Sequence, residues 1–343
     1  MKNKHLLLGL LIAVIAIYYT FKNVSLTQMV RTIGGMHYFQ LIPAILLCFF
    51  SYLLRAFRWS YLLGSVKKVN PLRLYSPLII GFMGNILPAR AGELIRAYLL
   101  SKKEDITFSS SIATIFVERL FDVIAVLILF TGTILMNINR FEGKSIDGKG
   151  PFVQLAIQFG WLSLIMVMAI ISLSIIILYK KRWIIKFIQI ITAPFPERIR
   201  NKSEEILNSF ISGFRVITDI NVLFISLFLT ILIWGAILAS YYPLFIAFEI
   251  DHLPYFSLFA LVVSIAIFIT VFPTPGFIGS FQAGCVFILN DIFNISDSVA
   301  AGFGMVAWLI NMGLVSCLGL FFVIKENISI RDITKHNEES HGL

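Results

Sequence analysis

Few of the side chains that carry enzyme chemistry are present here, and those present are scattered. The three cysteines, Cys48, Cys285 and Cys317, stand singly in apolar runs with no CxxC pair, which excludes a disulfide framework and a zinc ribbon and leaves them as small core residues. The five histidines form no HExxH, and neither a Walker A loop nor a GxSxG elbow occurs. No metal, cofactor or catalytic residue is therefore expected. Charge is scarce as well, at 14% of residues, and the longest polar stretch, 179–221, is broken by apolar residues and cannot make a soluble domain. What fills the 343 residues is hydrophobic: 58% of the chain, 32 phenylalanines and a mean hydropathy of +0.88. This is the composition of a polytopic membrane protein. The net charge of +9 sits beside apolar spans, so its expected partners are anionic membrane lipids rather than nucleic acid.

Taken in order, residues 5–21 form a retained first span, since no small-residue cleavage site follows them. Residues 41–63 form the second, with Arg55 and Arg58 near its end, placed either to anchor the helix by snorkelling or to line a lipid path. The segment 81–96, GFMGNILPARAGELIR, then sets breakers and charges inside an apolar neighbourhood. Pro88 stops one helix and Gly92 opens the next. At 1.5 Å per residue an arm of about 13 residues reaches about 20 Å, short of a core of about 30 Å. A re-entrant hairpin is the natural solution. A third span, 106–136, follows, then a loop and fourth span (137–178) and a basic amphipathic cytoplasmic linker (179–221). A fifth span, a second interruption at 271–282 (VFPTPGFIGSFQ), a sixth span and a polar tail (325–343) complete the chain.

The expected fold is an all-α polytopic membrane protein with about six transmembrane helices. Two oppositely oriented re-entrant helical hairpins sit in an inverted repeat, with 1–136 as the first repeat and 222–324 the remainder of the second, within one transmembrane domain, 1–343. Basic loops place both termini in the cytoplasm of a plasma membrane, the inner one where the source is Gram-negative.

The chemistry gathers on these breaks. Backbone freed at membrane depth must be satisfied by protein or by a water-filled cavity, so a broken helix usually lines something. Arg90 at the mouth of a helix N-terminus, with Arg96, suits a phosphate, while Glu93 can neutralise an arginine when no substrate is bound. Glu118, Arg119 and Asp122 share one side of the third span, and either carboxylate can pair with Arg90 or Arg96 across the hairpin. The same ERLFD run can instead sit at the interface. Pro88, Gly92, Pro273, Pro275, Gly276 and Gly279 are hinge candidates, and Asn85, Gln282 and Asn311 are polar candidates beside them.

The pieces LLRAFRW (53–59), NILPARAGELIRAYLL (85–100), VERLFD (117–122) and FPTPGFIGSFQ (272–282) resemble the transmembrane region of the lysylphosphatidylglycerol synthase and flippase family, including its stand-alone YbhN-like members. That resemblance implies movement of lipids or lipid-linked molecules between leaflets, with aminoacyl transfer confined to a separate C-terminal domain not expected after Ile324. It also implies roles for Asn85, Pro88, Arg90, Gly92, Glu93, Arg96, Glu118, Arg119 and Asp122. The chain departs from the pattern at two places: Gln282 stands where Glu is expected, and Phe277 where a second Gly is common. The function expected is a flippase or transporter for an anionic amphiphile, a phospholipid, aminoacylated phospholipid or polyprenyl-phosphate-linked lipid. Two alternatives stand beside it: a headgroup-modifying enzyme using Glu93 and Glu118, or a non-transporting partner of a separate lipid-modifying or glycosyl-transferring enzyme.

Overall fold

The computed structural model describes residues 24–86, 91–142, 197–214 and 218–328, with single positions at Tyr18, Lys22 and within 161–172. The expected first span, the Pro88 and Arg90 tip, nearly all of the fourth span and residues 329–343 lie outside the described residues. Among those described, the structure is helical, with no strand.

In chain order the helices are α1 (Leu26–Gly35), α2 (Leu41–Leu63), α3 (Pro71–Gly84), α4 (Gly92–Glu104), α5 (Phe108–Glu142), α6 (Glu197–Phe214), α7 (Ile220–Ala247), α8 (Phe256–Val271), α9 (Ser280–Val286), α10 (Asp297–Trp308) and α11 (Val315–Lys325). Two π-helical turns, Phe287–Ile292 after α9 and Leu309–Leu314 between α10 and α11, widen otherwise continuous helices. Short polar residues set the starts. Ser25 accepts the Gln28 amide at the head of α1, and Asp219 accepts those of Asn221 and Val222 at the head of α7.

Among the described residues three helices are long and apolar enough to cross a membrane: Tyr38–Leu63, Ile220–Ala247 and Asp297–Lys325. Their outward faces are apolar. On α7, Ile220, Phe224, Leu227, Phe228 and Ile231 are exposed along one helical stripe. A patch of that kind on a water-soluble protein would be a liability, whereas in hydrocarbon it is the required surface. Helix α5 runs past the expected loop start at 137, to Glu142, a length of 35 residues or about 52 Å.

The shorter helices fold back in pairs. In the first pair Gly81 and Gly84 of α3 lie against Gly92, Ile95 and Arg96 of α4, and a Cβ added at Gly92 would fall on the Gly81 carbonyl. At the open end Arg73 meets Glu104 at 3.6 Å and Lys67 meets it at 3.8 Å. In the second pair Gly284 of α9 packs on Ile265 of α8, Ser264 donates to the Gly284 carbonyl at 2.8 Å, and the Phe256 and Phe293 rings close the open end at 5.7 Å. Each pair thus returns to the end from which it left. A long helix, such a pair and another long helix occur in that order twice, as α2 to α5 and as α7 to α11.

The chain divides into two compact units: Met1–Leu54 with Tyr75–Arg96 and Leu232–Leu343, and Arg55–Leu74 with Ala97–Ile231. In the first, α1 packs on α10, where Gly302 gives room to Met29 and Ile33. In the second, α6 docks by its last turn against α5 rather than lying wholly on a surface: Leu62, Ala113, Val117 and the fully buried Phe214 form a core. Ser110 Oγ adds a bond to the Ser209 carbonyl at 2.7 Å.

Candidate functional site

Arg55 and Arg58 lie three residues apart on α2, and Glu118 and Asp122 lie four apart on α5, so each pair occupies one helical face. In the second unit those faces meet. Arg58 Nη2 donates to Asp122 Oδ1 at 2.9 Å and lies 3.5 Å from Glu118 Oε1, while Arg55 Nη1 reaches Asp122 Oδ2 at 3.1 Å. Arg119 completes the group, 3.4 Å from Glu118 and 3.3 Å from Asp122. Arg58 and Glu118 are wholly inaccessible, and only the Arg119 side chain, 33% exposed, opens outward.

One point differs from the sequence expectation: Arg55 and Arg58 are buried in ion pairs rather than snorkelling. Within the second unit Glu118 and Asp122 meet Arg55, Arg58 and Arg119. Arg90, proposed as a partner of these acids, lies outside the described residues. The group holds one more guanidinium than carboxylates. Arg58 Nε is buried with no hydrogen-bond partner among the described residues.

Thr230 was missed. It sits in an apolar run of α7, yet its Oγ1 accepts Arg58 Nη1 at 2.8 Å. A hydroxyl among apolar residues, one turn after that of Ser226, was the available signal. Trp59, next to Arg58, donates to Thr114 Oγ1 at 3.2 Å and fixes α2 against α5 one turn away. Glu104 was missed too, a buried acid held by Lys67 and Arg73.

The second feature, within the first unit, is a contact between Asn85, just after α3, and the turn that precedes α9. Gly276 N–H donates to the Asn85 carbonyl at 3.3 Å, and Trp308 Nε1 donates to the Gly276 carbonyl at 2.9 Å. The tip is bent in a way few residues tolerate. Gly276 has φ +60° and Gly279 φ +87°, and Phe277 has φ +59°. A left-handed conformation costs a non-glycine residue about 1–2 kcal/mol, which is why glycine suits position 277. Gln282 Oε1 accepts the Gly279 amide at 2.8 Å, capping α9, and its amide lies 3.8 Å from Met305 Sδ. Pro273 is exposed and Pro275 opens the one-turn helix at the tip.

On the first hairpin Arg96 is buried and Glu93 exposed, and Asn85 Oδ1 is buried without a hydrogen-bond partner among the described residues. Asn311 lies in the second π-helical turn, where its carbonyl accepts Tyr52 OH at 3.4 Å and its Oδ1 lies 3.9 Å from Cys48 Sγ. It therefore makes an interhelical contact. Among the described residues no His, Cys, Asp and Glu group could hold a metal.

These features have relatives. The family model described as "Lysylphosphatidylglycerol synthase TM region" matches residues 6–319. A UPF0104 membrane protein of Methanothermobacter thermautotrophicus is 24% identical over 294 residues, which cover 81% of this chain and 83% of that protein. A UPF0104 membrane protein of Methanocaldococcus jannaschii is 40% identical over 48 residues, 14% of this chain and 20% of that one. Glycosyltransferase AglD of Haloferax volcanii is 27% identical over 139 residues, covering 39% of this chain and only 22% of AglD. No solved structure matches.

Proposed function

The chain belongs to the lysylphosphatidylglycerol synthase transmembrane-region family, and from that premise we propose that it moves an anionic amphiphile between the leaflets of the inner membrane without a catalytic step. The observation that carries this reading is the buried group of Arg55, Arg58, Glu118, Arg119 and Asp122. Each buried ion costs several kcal/mol in desolvation, and apolar residues of the same volume would stabilise the helices as well. Ionisable residues in membrane helices characteristically mark substrate paths. A guanidinium in such a group binds a lipid phosphate with the same forked geometry that it offers a carboxylate, so the group suits a path along which an anionic headgroup exchanges with the acids.

In this proposal the helix pairs α3/α4 and α8/α9 are re-entrant hairpins, six spans surround them, and both termini are cytoplasmic. Arg90 and Arg96 hold the headgroup, Glu93 competes with it for the arginines, and Glu118 or Asp122 balances charge or carries a proton. Access alternates at the hairpin tips, while acyl chains stay in lipid.

The test is leaflet exchange in proteoliposomes with fluorescent anionic, zwitterionic and cationic lipids. Wild type is expected to exchange the anionic class and Arg90→Ala to lose it. Folded wild-type protein that exchanges none of them, with or without a proton gradient, overturns the reading for these lipids. A second reading draws on the partial likeness to a glycosyltransferase: a membrane partner that recruits such an enzyme through the basic linker. That reading expects charge reversal at Lys180, Lys181 and Arg182 to abolish function while Arg90→Ala preserves it.

A further inference from the structure

Beside the end of α2 the second unit forms an open cavity of about 760 Å³. Its lining is mixed: Phe57, Tyr61 and Val222 are apolar, and Lys68, Asn70 and Asp219 are polar or charged. The volume falls in the range of small-molecule sites. Nothing in the proposed transport path uses it.

The bonding of the polar lining is telling. Ser60 and Ser65 spend their hydroxyl protons on the Val69 and Ser212 carbonyls, at 2.7 and 3.3 Å. Asp219 uses one oxygen, Oδ1, to cap α7, and Asn70 uses Oδ1 to accept the Leu72 amide at 2.9 Å at the head of α3. What remains uncommitted among the described residues is the Lys68 ammonium, the Asn70 amide group and the second oxygen of Asp219. Lys68 and Asp219 face one cavity with opposite charges, yet no ion pair joins them.

Opposite charges that line one pocket without pairing are complementary to a ligand that carries both. We propose that this cavity binds the headgroup of a zwitterionic, amine-bearing phospholipid. Its phosphate meets Lys68 and the Asn70 amide, its ammonium meets Asp219, and an acyl chain lies along the exposed Phe57 and Tyr61. A purely anionic lipid would satisfy Lys68 and be repelled by Asp219, and a choline headgroup has no N–H to donate. The site therefore discriminates by headgroup amine, a different selection from the anion preference proposed for the buried charges.

The experiment is native mass spectrometry of the full chain released from nanodiscs holding equal phosphatidylethanolamine, phosphatidylglycerol and phosphatidylcholine. Wild type is expected to retain phosphatidylethanolamine over phosphatidylglycerol by roughly tenfold, the scale of one charge-assisted hydrogen bond. Asp219→Asn preserves the helix cap and removes the charge, so it should bring the ratio near unity. Asp219→Ser, a second capping residue without charge, should do the same. Lys68→Gln should lower retention of both phospholipids. Because the ratio is read within one spectrum, a loss of folding lowers both species and does not mimic the effect. Equal retention by wild type overturns the proposal, as does a preference that survives both Asp219 substitutions.

Discussion

At the scale of single residues, the buried charges separate stability from function. Asp122 accepts from both Arg55 and Arg58, so Asp122→Asn removes the charge that both buried guanidiniums face. Breaking a buried pair from one side costs about 3–5 kcal/mol, and a lowered thermal midpoint of the purified protein should report it. Arg119 is different. Its side chain is a third exposed, so Arg119→Gln should cost no more than about 1 kcal/mol while removing the guanidinium that opens outward. Near-native stability with lost exchange of anionic lipid is the expected result, and unimpaired exchange would take Arg119 out of the lipid path. The sequence marked all five of these residues but not their pairing. Spacing assigns a residue to a helix face, whereas the meeting of α2 with α5 is decided by packing between segments more than fifty residues apart. Thr230 was illegible for the same reason, since its polarity acquires meaning only through Arg58.

At the scale of elements, the two helix pairs were the most legible part of the fold, because glycine and proline declare a break locally. Their contacts explain which glycines are indispensable. A Cβ at Gly92 would collide with the Gly81 carbonyl and the Asn85 side chain, so Gly92→Ala must push α3 and α4 apart. Overpacking of this kind costs about 1–3 kcal/mol, and the variant should also lose exchange because the tip moves. Gly132 on α5 has nothing within 4 Å, so Gly132→Ala should be neutral or gain up to about 1 kcal/mol of helix propensity. Parallel thermal melts decide the comparison, and equal destabilisation by the two substitutions would refute the close-packing account. The π-helical turns and the docking of α6 were not legible. A π turn leaves no mark in hydrophobic periodicity over six residues, and the buried Phe214 looks from sequence like any apolar residue of an amphipathic linker.

At the scale of the molecule, the proposal turns on how the helix pairs stand in the bilayer. Helix α3 has 14 residues and α4 has 13, so each reaches about 20 Å, and each is too short to cross alone. Their open ends are tied together through Glu104, which places Leu72 and Lys103 on one side of the membrane if the pair is re-entrant. The ring contact of Phe256 with Phe293 makes the same demand of Tyr255 and Ser296. Single cysteines at these four exposed positions, in a background lacking Cys48, Cys285 and Cys317, can be probed with an impermeant thiol reagent in sealed vesicles of known orientation. Leu72→Cys and Lys103→Cys should react together from the cytoplasmic face, where the surrounding lysines and arginines favour it. Tyr255→Cys and Ser296→Cys should react together from the opposite face. If the two ends of either pair react from different faces, that pair crosses the membrane and is not re-entrant. If all four react from one face, both hairpins enter from the same side, and the inverted arrangement that lets access alternate at their tips is lost even though each remains re-entrant.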